Sequence, residues 1–268
     1  MNKIKTVIMY IFISIAAFFS VAPFIWMVIG ATNTSANVSK GKLEIGMELF
    51  NNIAKLNKLV NLPQVILNSA IIAIVGTVLT LIIASMAGYG FEIYKSRIRE
   101  RIYNFFMLTM MVPFAAIMIP LFRIFSKLNM LNSYVAVILP SLATIFVIFY
   151  FRQSTKSFQK ELIQAARVDG LNEFQAFFYI YYPSMKSAYA AAAIIVFMTN
   201  WNSFLWPLII LQSNTKRTMT LAISNLSSSY TPDYGVIMAA IIIATLPTLI
   251  LFFTMQKQFV EGMVGSVK

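Results

Sequence analysis

Six apolar runs dominate this chain, and each is long enough, at roughly 20 residues, to cross the hydrocarbon core of a bilayer as a helix. A helix satisfies its own backbone hydrogen bonds in lipid, so few other folds are open to such runs. The chain is 59% hydrophobic and only 11% charged, whereas soluble proteins carry about 25% charged residues. We therefore predict an all-α integral membrane protein with six transmembrane helices, at residues 7–31, 65–91, 103–122, 135–151, 187–211 and 236–255.

The distribution of Lys and Arg predicts the orientation, because these residues accumulate in cytoplasmic loops. An even number of spans places both termini on one side. If that side is the cytoplasm, only eight of the 21 basic residues lie outside, namely Lys40, Lys42, Lys55, Lys58, Arg123, Lys127, Lys216 and Arg217. We predict a multi-pass protein of the cell membrane with both termini cytoplasmic. The net charge of +12 then reflects orientation and attraction to anionic lipid, and no nucleic-acid partner is needed.

Several kinds of chemistry are disfavoured by what the sequence lacks. With no Cys and no His, the chain offers no disulfide, thiol nucleophile or ordinary zinc site, and we predict no catalytic and no metal site. It also lacks the G-x-x-x-x-G-K-[ST] loop that binds nucleotide phosphates. All nine acidic residues fall in predicted loops or at span ends, which disfavours an ion-coupled carrier. That alternative stays open, since backbone carbonyls at broken helices also bind sodium.

Residues 164–183, between the fourth and fifth predicted spans, form a segment that is too polar to cross a bilayer: Q-A-A-R-V-D-G-L-N-E-F-Q-A-F-F-Y-I-Y-Y-P. We predict a helix that ends at Gly170 in a left-handed conformation. A second helix then begins at Asn172, with Gln175 completing a capping pair. Its spacing predicts one aromatic stripe of Phe174, Phe177, Phe178 and Tyr181. An amphipathic helix pair lying on lipid or on the protein's own bundle would have the same pattern.

The order of residues in this segment resembles the cytoplasmic loop motif of permease subunits of binding-protein-dependent ABC importers. That motif reads E-A-A, two residues, D-G, and then a spaced F, I and P. Gln164 replaces the usual Glu and Leu171 a frequent Ala, whereas the matching residues are Ala165, Ala166, Asp169, Gly170, Phe177, Ile180 and Pro183. W-N-S-F-L-W-P-L at 201–208, A-T-L-P at 244–247 and the ending from residue 256 are similar to carbohydrate permeases of the maltose-transporter type.

The resemblance implies a transport subunit and not an enzyme. Such a permease forms half of the translocation pathway of a sugar importer. Its implied partners are a second six-span permease, an extracellular solute-binding protein, the sugar, membrane lipid and two ATPase subunits, which would hold ATP and Mg. Residues 164–183 would dock on an ATPase, and we hypothesise that Gly170 fixes the angle between the two short helices.

The resemblance also implies a division into a first span with an outer loop at 1–62, a core at 63–256 and a cytoplasmic tail at 257–268. The tail either reaches the ATPase interface or frays. The polar connection at 212–233 either touches the solute-binding protein or is a plain connector.

The sugar site is the least constrained part of the sequence. Trp201 and Trp206 could stack on sugar faces, while Asn200 and Asn202 could bind hydroxyl groups. An aromatic belt at the membrane surface accounts for the same residues. A sugar importer, an ABC permease for another solute, an ion-coupled secondary transporter and a membrane scaffold remain the competing functions.

Overall fold

The fold is helical throughout the part of the chain that the structure, a computed structural model, describes: the backbone of residues 3–264 and the side chains of residues 4–257. No strand occurs within that backbone range, which confirms the predicted all-α class. The helices are α1 Lys3–Ala31, α2 Ser35–Ser39, α3 Leu49–Val60, α4 Leu62–Ile93, α5 Arg97–Thr109, α6 Phe114–Lys127, α7 Tyr134–Leu142, α8 Ile145–Thr155, α9 Glu161–Val168, α10 Glu173–Ala176, a π-helix Phe177–Tyr181, α11 Tyr182–Ser184, α12 Lys186–Trp201, α13 Leu205–Ile210, a 3₁₀-helix Asn214–Lys216, α14 Met219–Ser227 and α15 Tyr234–Val264.

Four helical stretches are long and apolar enough to cross a membrane: Ile4–Ala31, Leu62–Ile93, Lys186–Ile210 and Tyr234–Lys257. The third and fourth predicted spans are each broken into two helices. α5 and α6 meet at an angle of 101°, and α7 and α8 at 42°. The described residues therefore contain six spans if each bent pair counts as one.

Proline explains the break between α5 and α6. Pro113 has an extended conformation and directly precedes α6. A residue before proline is pushed out of the helical region by the proline ring, so Val112 cannot easily continue α5. The predicted continuous run at 103–122 is apolar enough to span, but its backbone turns sharply at this point.

A polar side chain from α4 supports the break between α7 and α8. The Ser141 carbonyl accepts hydrogen bonds from the Thr144 hydroxyl at 2.6 Å and from the Thr80 hydroxyl at 3.2 Å. An interrupted helix in lipid needs such partners, because no water is present to satisfy the freed carbonyls. Thr80 is fully buried, so this polar residue of the second span serves helix packing.

The chain forms two compact units, and the first comprises Met1–Val65 and Met219–Pro247. Its predicted outer loop is partly helical, since it contains α2 and α3. The buried Asn52 side chain donates to the carbonyls of Ala31 and Asn33, both at 2.9 Å. These bonds fasten α3 to the end of α1. An 18-residue apolar window of α1 has no residue buried by the part of the chain whose side chains the structure describes.

The second unit comprises Ile66–Thr218 and Thr248–Lys268. Near its end, α4 packs closely on α8: a Cβ added at Gly88 would lie 2.7 Å from the Phe151 Cβ and 2.8 Å from the Arg152 backbone nitrogen. The boundaries of these units, at 65/66, 218/219 and 247/248, are not those of the predicted division at 62/63 and 256/257. That division stays a prediction. Within the predicted tail, residues 265–268, and every side chain from 258 onward, lie outside the described residues.

Candidate functional site

The polar segment between the fourth and fifth predicted spans folds as a row of short helices, called here the α9–α11 segment (residues 160–185). A corner separates α9 from α10. Gly170 has φ +83°, a value that glycine adopts without steric cost. The Leu171 amide donates to the Ala166 carbonyl at 3.0 Å, which closes the end of α9. The predicted left-handed glycine at this corner is confirmed.

The second short helix begins with the predicted capping pair. The Asn172 side chain accepts a hydrogen bond from the Gln175 amide, and the Gln175 side chain accepts one from the Asn172 amide, both at 2.9 Å. Two amides that a helix start leaves unpaired are thereby satisfied. This local signal was sufficient to place the start of α10 correctly.

The single aromatic stripe predicted for this helix is wrong. Phe177 and Tyr181 are buried and stacked with ring centroids 5.2 Å apart, whereas Phe174 and Phe178 remain 63% and 43% exposed. The cause is the π-helix at Phe177–Tyr181, whose wider turn follows i→i+5 hydrogen bonds. Residues four positions apart lie on nearly the same side of a π-helix, whereas residues three positions apart point in different directions. The aromatic residues therefore form two pairs on different faces.

The buried pair anchors the segment to the ends of the spans. Tyr181 is fully buried, and its hydroxyl lies 2.7 Å from the Thr155 hydroxyl of α8. Its ring packs on Tyr89 of α4 and on Phe158, with centroids 4.8 and 5.4 Å away. Burial raises the pKa of the Tyr181 phenol, so it stays protonated over the physiological range.

The motif residues divide between the inside and the outside of the segment. Ala166 and Phe177 are buried and Ile180 is partly buried, while the exposed members are Gln164, Ala165, Asp169, Gly170 and Pro183. The predicted site residues did not include Val168 and Tyr179, whose side chains are 88% and 68% exposed on this segment. The sequence signal for these two residues is that they are apolar but do not belong to the predicted aromatic stripe.

An exposed ion pair closes over the corner. The Arg167 Nε of α9 lies 2.8 Å from the Glu173 Oε1 of α10. The Tyr94 hydroxyl donates to the same carboxylate, and the Arg167 guanidinium lies 5.6 Å from the Tyr94 ring centroid. Hydrogen bonds from Arg167 and then Tyr94 hold the pKa of Glu173 below its usual range. We call these three residues the clasp.

A second carboxylate, Glu92, lies near the end of α4 and is only 2% exposed. Its Oε1 lies 2.8 Å from the Lys160 Nζ and 2.9 Å from the Lys95 Nζ, and its Oε2 lies 3.6 Å from the Arg152 Nε. The sequence analysis placed Glu92 correctly at a span end but assigned it no partner. We call this group the Glu92 cluster.

A comparison with known families decides what kind of protein carries these features. Residues 76–264 match the family described as "Binding-protein-dependent transport system inner membrane component". The chain belongs to this family. It is thus a membrane-embedded permease subunit and not an enzyme, which confirms the family and the broad function predicted from the motif.

Relatives of this permease are similar over most or all of their length. The lactose transport system permease protein LacG of Rhizobium radiobacter is 55% identical over 267 residues, which cover 100% of this chain and 98% of the relative. The arabinooligosaccharides transport system permease protein AraQ of Bacillus subtilis (strain 168) is 39% identical, with 75% and 72% covered. The sn-glycerol-3-phosphate permease UgpE of Pectobacterium atrosepticum is 31% identical, with 76% and 73% covered.

The fold of the permease also matches a solved structure. A bacterial ABC transporter involved in the import of the acidic polysaccharide alginate contains a chain that superposes with a TM-score of 0.85 at 21% identity. The match covers 96% of this chain and 97% of that chain. It establishes the common fold.

The four residues predicted to bind sugar have varied surroundings in the permease. The Trp206 indole is buried and donates to the Ala136 carbonyl at 2.9 Å. Trp201 is buried against the Phe197 ring, with centroids 5.7 Å apart. The exposed Asn202 side chain donates to its own helix, and Asn200 is partly buried. Their role in substrate binding stays a prediction.

Proposed function

We propose that the permease forms half of the translocation pathway of an ATP-driven importer for lactose or a closely related sugar. The observation that carries this proposal is 55% identity to a lactose permease along the whole chain. The other half of the pathway is a second permease subunit. Two ATPase subunits bind ATP and Mg, and an extracellular solute-binding protein delivers the sugar.

The proposed orientation puts both termini and the α9–α11 segment in the cytoplasm. The basic residues favour this orientation, because only eight of 21 then lie outside. The connection between α13 and α15 is then extracellular, and its Tyr230 is fully exposed. That connection is our proposed contact for the solute-binding protein, and the tail at 257–268 is a proposed ATPase contact.

The exposed face of the α9–α11 segment is the proposed docking surface for an ATPase. Val168, Phe174 and Tyr179 each have more than half of their surface exposed, in a segment too polar to cross a bilayer. Burying such side chains against a partner is favourable by about 1.5–3 kcal/mol each. Gln164 and Asp169 are also exposed in this segment. The segment therefore presents both apolar and polar side chains to a partner, as protein interfaces do.

Movement of an ATPase can reach the spans because the other face of the segment is fixed to them. Tyr181 and Phe177 pack on Tyr89 of α4, and Tyr181 also contacts Thr155 of α8. A displacement of the docking surface therefore carries the ends of α4 and α8 with it. Coupling further requires that the two states of the ATPase pair bind the segment differently.

Uptake by the reconstituted complex tests this function. Proteoliposomes containing both permeases and the ATPases would be loaded with ATP and Mg and supplied outside with solute-binding protein and radiolabelled lactose. We expect uptake that stops without ATP and continues when an ionophore collapses the ion gradients. Uptake that persists without ATP and stops with the ionophore would instead identify a secondary carrier.

The choice of solute is tested with the same vesicles. Arabinooligosaccharides and glycerol-3-phosphate are the relevant competitors, because permeases named for them are 39% and 31% identical to this chain. We expect lactose to be transported in preference to both. Preferential uptake of glycerol-3-phosphate would retain the ATP-driven permease and overturn its assignment to sugars.

The docking surface is tested with a matched pair of phenylalanines. Phe174 and Phe50 are 63% and 81% exposed, and Phe50 lies on α3 in the first unit, remote in sequence from the docking segment. We expect Phe174→Ala to weaken ATPase binding about tenfold, which corresponds to about 1.4 kcal/mol, and Phe50→Ala to leave it unchanged. Equal binding by both variants would contradict docking at this face.

A further inference from the structure

The Glu92 cluster joins segments that lie far apart in the sequence. Lys160 directly precedes α9, and Arg152 lies in the last turn of α8. Their side chains meet the Glu92 carboxylate at the end of α4, with separations of 2.8 and 3.6 Å. Only Lys95, three residues further along the chain, is a local partner. The Glu92 carboxylate, which belongs to α4, thus contacts both α8 and the α9–α11 segment.

One contact in this cluster is incomplete. The Glu92 Oε2 and the Arg152 Nε are buried, face each other at 3.6 Å, and have no hydrogen-bond partner among the described residues. An N–H···O hydrogen bond forms at about 2.7–3.2 Å, so a shift of less than about one ångström would complete it. Buried polar atoms are normally paired. The Glu92–Arg152 ion pair therefore lacks its hydrogen bond in the arrangement described.

Arg152 has other contacts that hold it while Glu92 moves. Its Nη2 pairs with the Glu100 carboxylate of α5. Its guanidinium also lies 3.8 Å from the centroid of the Tyr103 ring, also on α5. Contacts with α5 therefore hold the Arg152 side chain in place. What can change in the cluster is the position of the Glu92 carboxylate between Arg152 and Lys160.

We infer that Glu92 is a positioning residue that passes displacement of the α9–α11 segment to the ends of α4 and α8, an inference that rests on the proposed function. When an ATPase moves the segment, Lys160 moves with α9 and changes its hold on the Glu92 Oε1. The carboxylate then approaches or leaves the Arg152 Nε. The balance between the two ion pairs differs between the two states of the transporter, so ATP binding biases the arrangement of the spans.

Two lysines on the same carboxylate oxygen provide the test. Lys160 and Lys95 have similar exposure, at 41% and 54% of the side chain, but only Lys160 belongs to the segment that an ATPase would move. The measurement is the number of lactose molecules taken up per ATP hydrolysed in the proteoliposomes described above. We expect Lys160→Gln to lower this ratio at least twofold, Lys95→Gln to leave it unchanged, and Lys160→Arg to restore it.

Stability and ATPase binding are measured on the same variants, so that a merely structural effect is recognised. An unchanged ratio in Lys160→Gln, or an equal loss in both glutamine variants, would overturn the inference. Loss of ATPase binding by Lys160→Gln would also overturn it, because Lys160 would then be a docking residue. Failure of the wild-type complex to show ATP-dependent uptake would instead reject the proposed function.

Discussion

The two carboxylates near the end of α4 have the same chemistry and opposite surroundings. Glu92 is 2% exposed and lies between Lys160 and Arg152, whereas the Glu173 side chain is 49% exposed and pairs with Arg167. Both connect the α9–α11 segment to the end of α4. An exposed ion pair contributes about 0–1 kcal/mol, but removing one partner of a buried pair costs about 3–5 kcal/mol. Burial, and not the number of contacts, determines how much each carboxylate contributes to stability.

The difference fits the position of each group in a coupling device. The buried Glu92 cluster lies where the segment joins α4 and α8, so displacement of the segment reaches both helices through its ion pairs. The clasp lies across the corner between α9 and α10, next to the proposed docking surface. A weak ion pair at that place can rearrange when a partner binds, with little loss of stability for the permease.

The largest expected effect comes from removing the buried charge. Glu92→Gln leaves Lys160 and Arg152 without their shared carboxylate, although Arg152 keeps Glu100. We expect the free energy of unfolding to fall by about 3 kcal/mol, at the low end for a buried pair. Unfolding in mixed micelles with rising SDS measures this change. The control is Glu161→Gln, exposed on α9, for which we expect a change within about 0.5 kcal/mol; similar losses in both would remove the distinction between the two sites.

The next effect concerns the close packing of α4 on α8. Gly88 lies one turn before Glu92, and a Cβ there would meet the backbone of α8 at 2.8 Å. Backbone atoms cannot move aside, so we expect Gly88→Ala to cost about 2 kcal/mol through overpacking. At Gly90 no described atom beyond its chain neighbours and the backbone of its own helix lies within 4 Å of an added Cβ, so Gly90→Ala should be neutral or stabilising in this helix. Thermal unfolding of the two variants checks the difference, and equal stabilities would mean that α4 and α8 are not in close contact.

The sequence was informative wherever the signal was local. Apolar runs located the four helical stretches long enough to cross a membrane, and the left-handed corner at Gly170 and the Asn172–Gln175 cap follow from residues at most three positions apart. The Glu92 cluster could not be predicted, since Lys160 is 68 residues from Glu92. The π-helix was equally hidden, because its wide turn lets Phe177 and Tyr181 pack on Tyr89, which is about ninety positions away from both. A single sequence contains no record of such distant contacts.

A third prediction concerns the corner over which the clasp closes. Gly170 has φ +83° with open space around it, so a side chain would meet backbone strain and no steric clash. We expect Gly170→Val to cost about 1–2 kcal/mol and to lower uptake by the assembled complex, because the strain changes the angle between α9 and α10. Gly170→Asn is the control, since asparagine adopts left-handed conformations more readily. Normal uptake by the Val variant in a fully assembled complex would show that the angle at Gly170 is not needed for coupling.

The smallest expected effect is that of the clasp. A double-mutant cycle of Arg167→Gln and Glu173→Gln should give a coupling energy below about 1 kcal/mol, and less at high salt, because the pair is exposed. Arg167 and Tyr94 lower the pKa of Glu173 from its ordinary value of 4.5. The contribution of the clasp is therefore complete above about pH 4.5 and is lost as the pH falls through the lower pKa of the folded state. Unfolding of the four proteins of the cycle at pH 7 and in acid measures both effects. A coupling energy above about 2 kcal/mol that does not respond to salt would place Glu173 in the same class as Glu92, and exposure would then no longer explain how the two carboxylates differ.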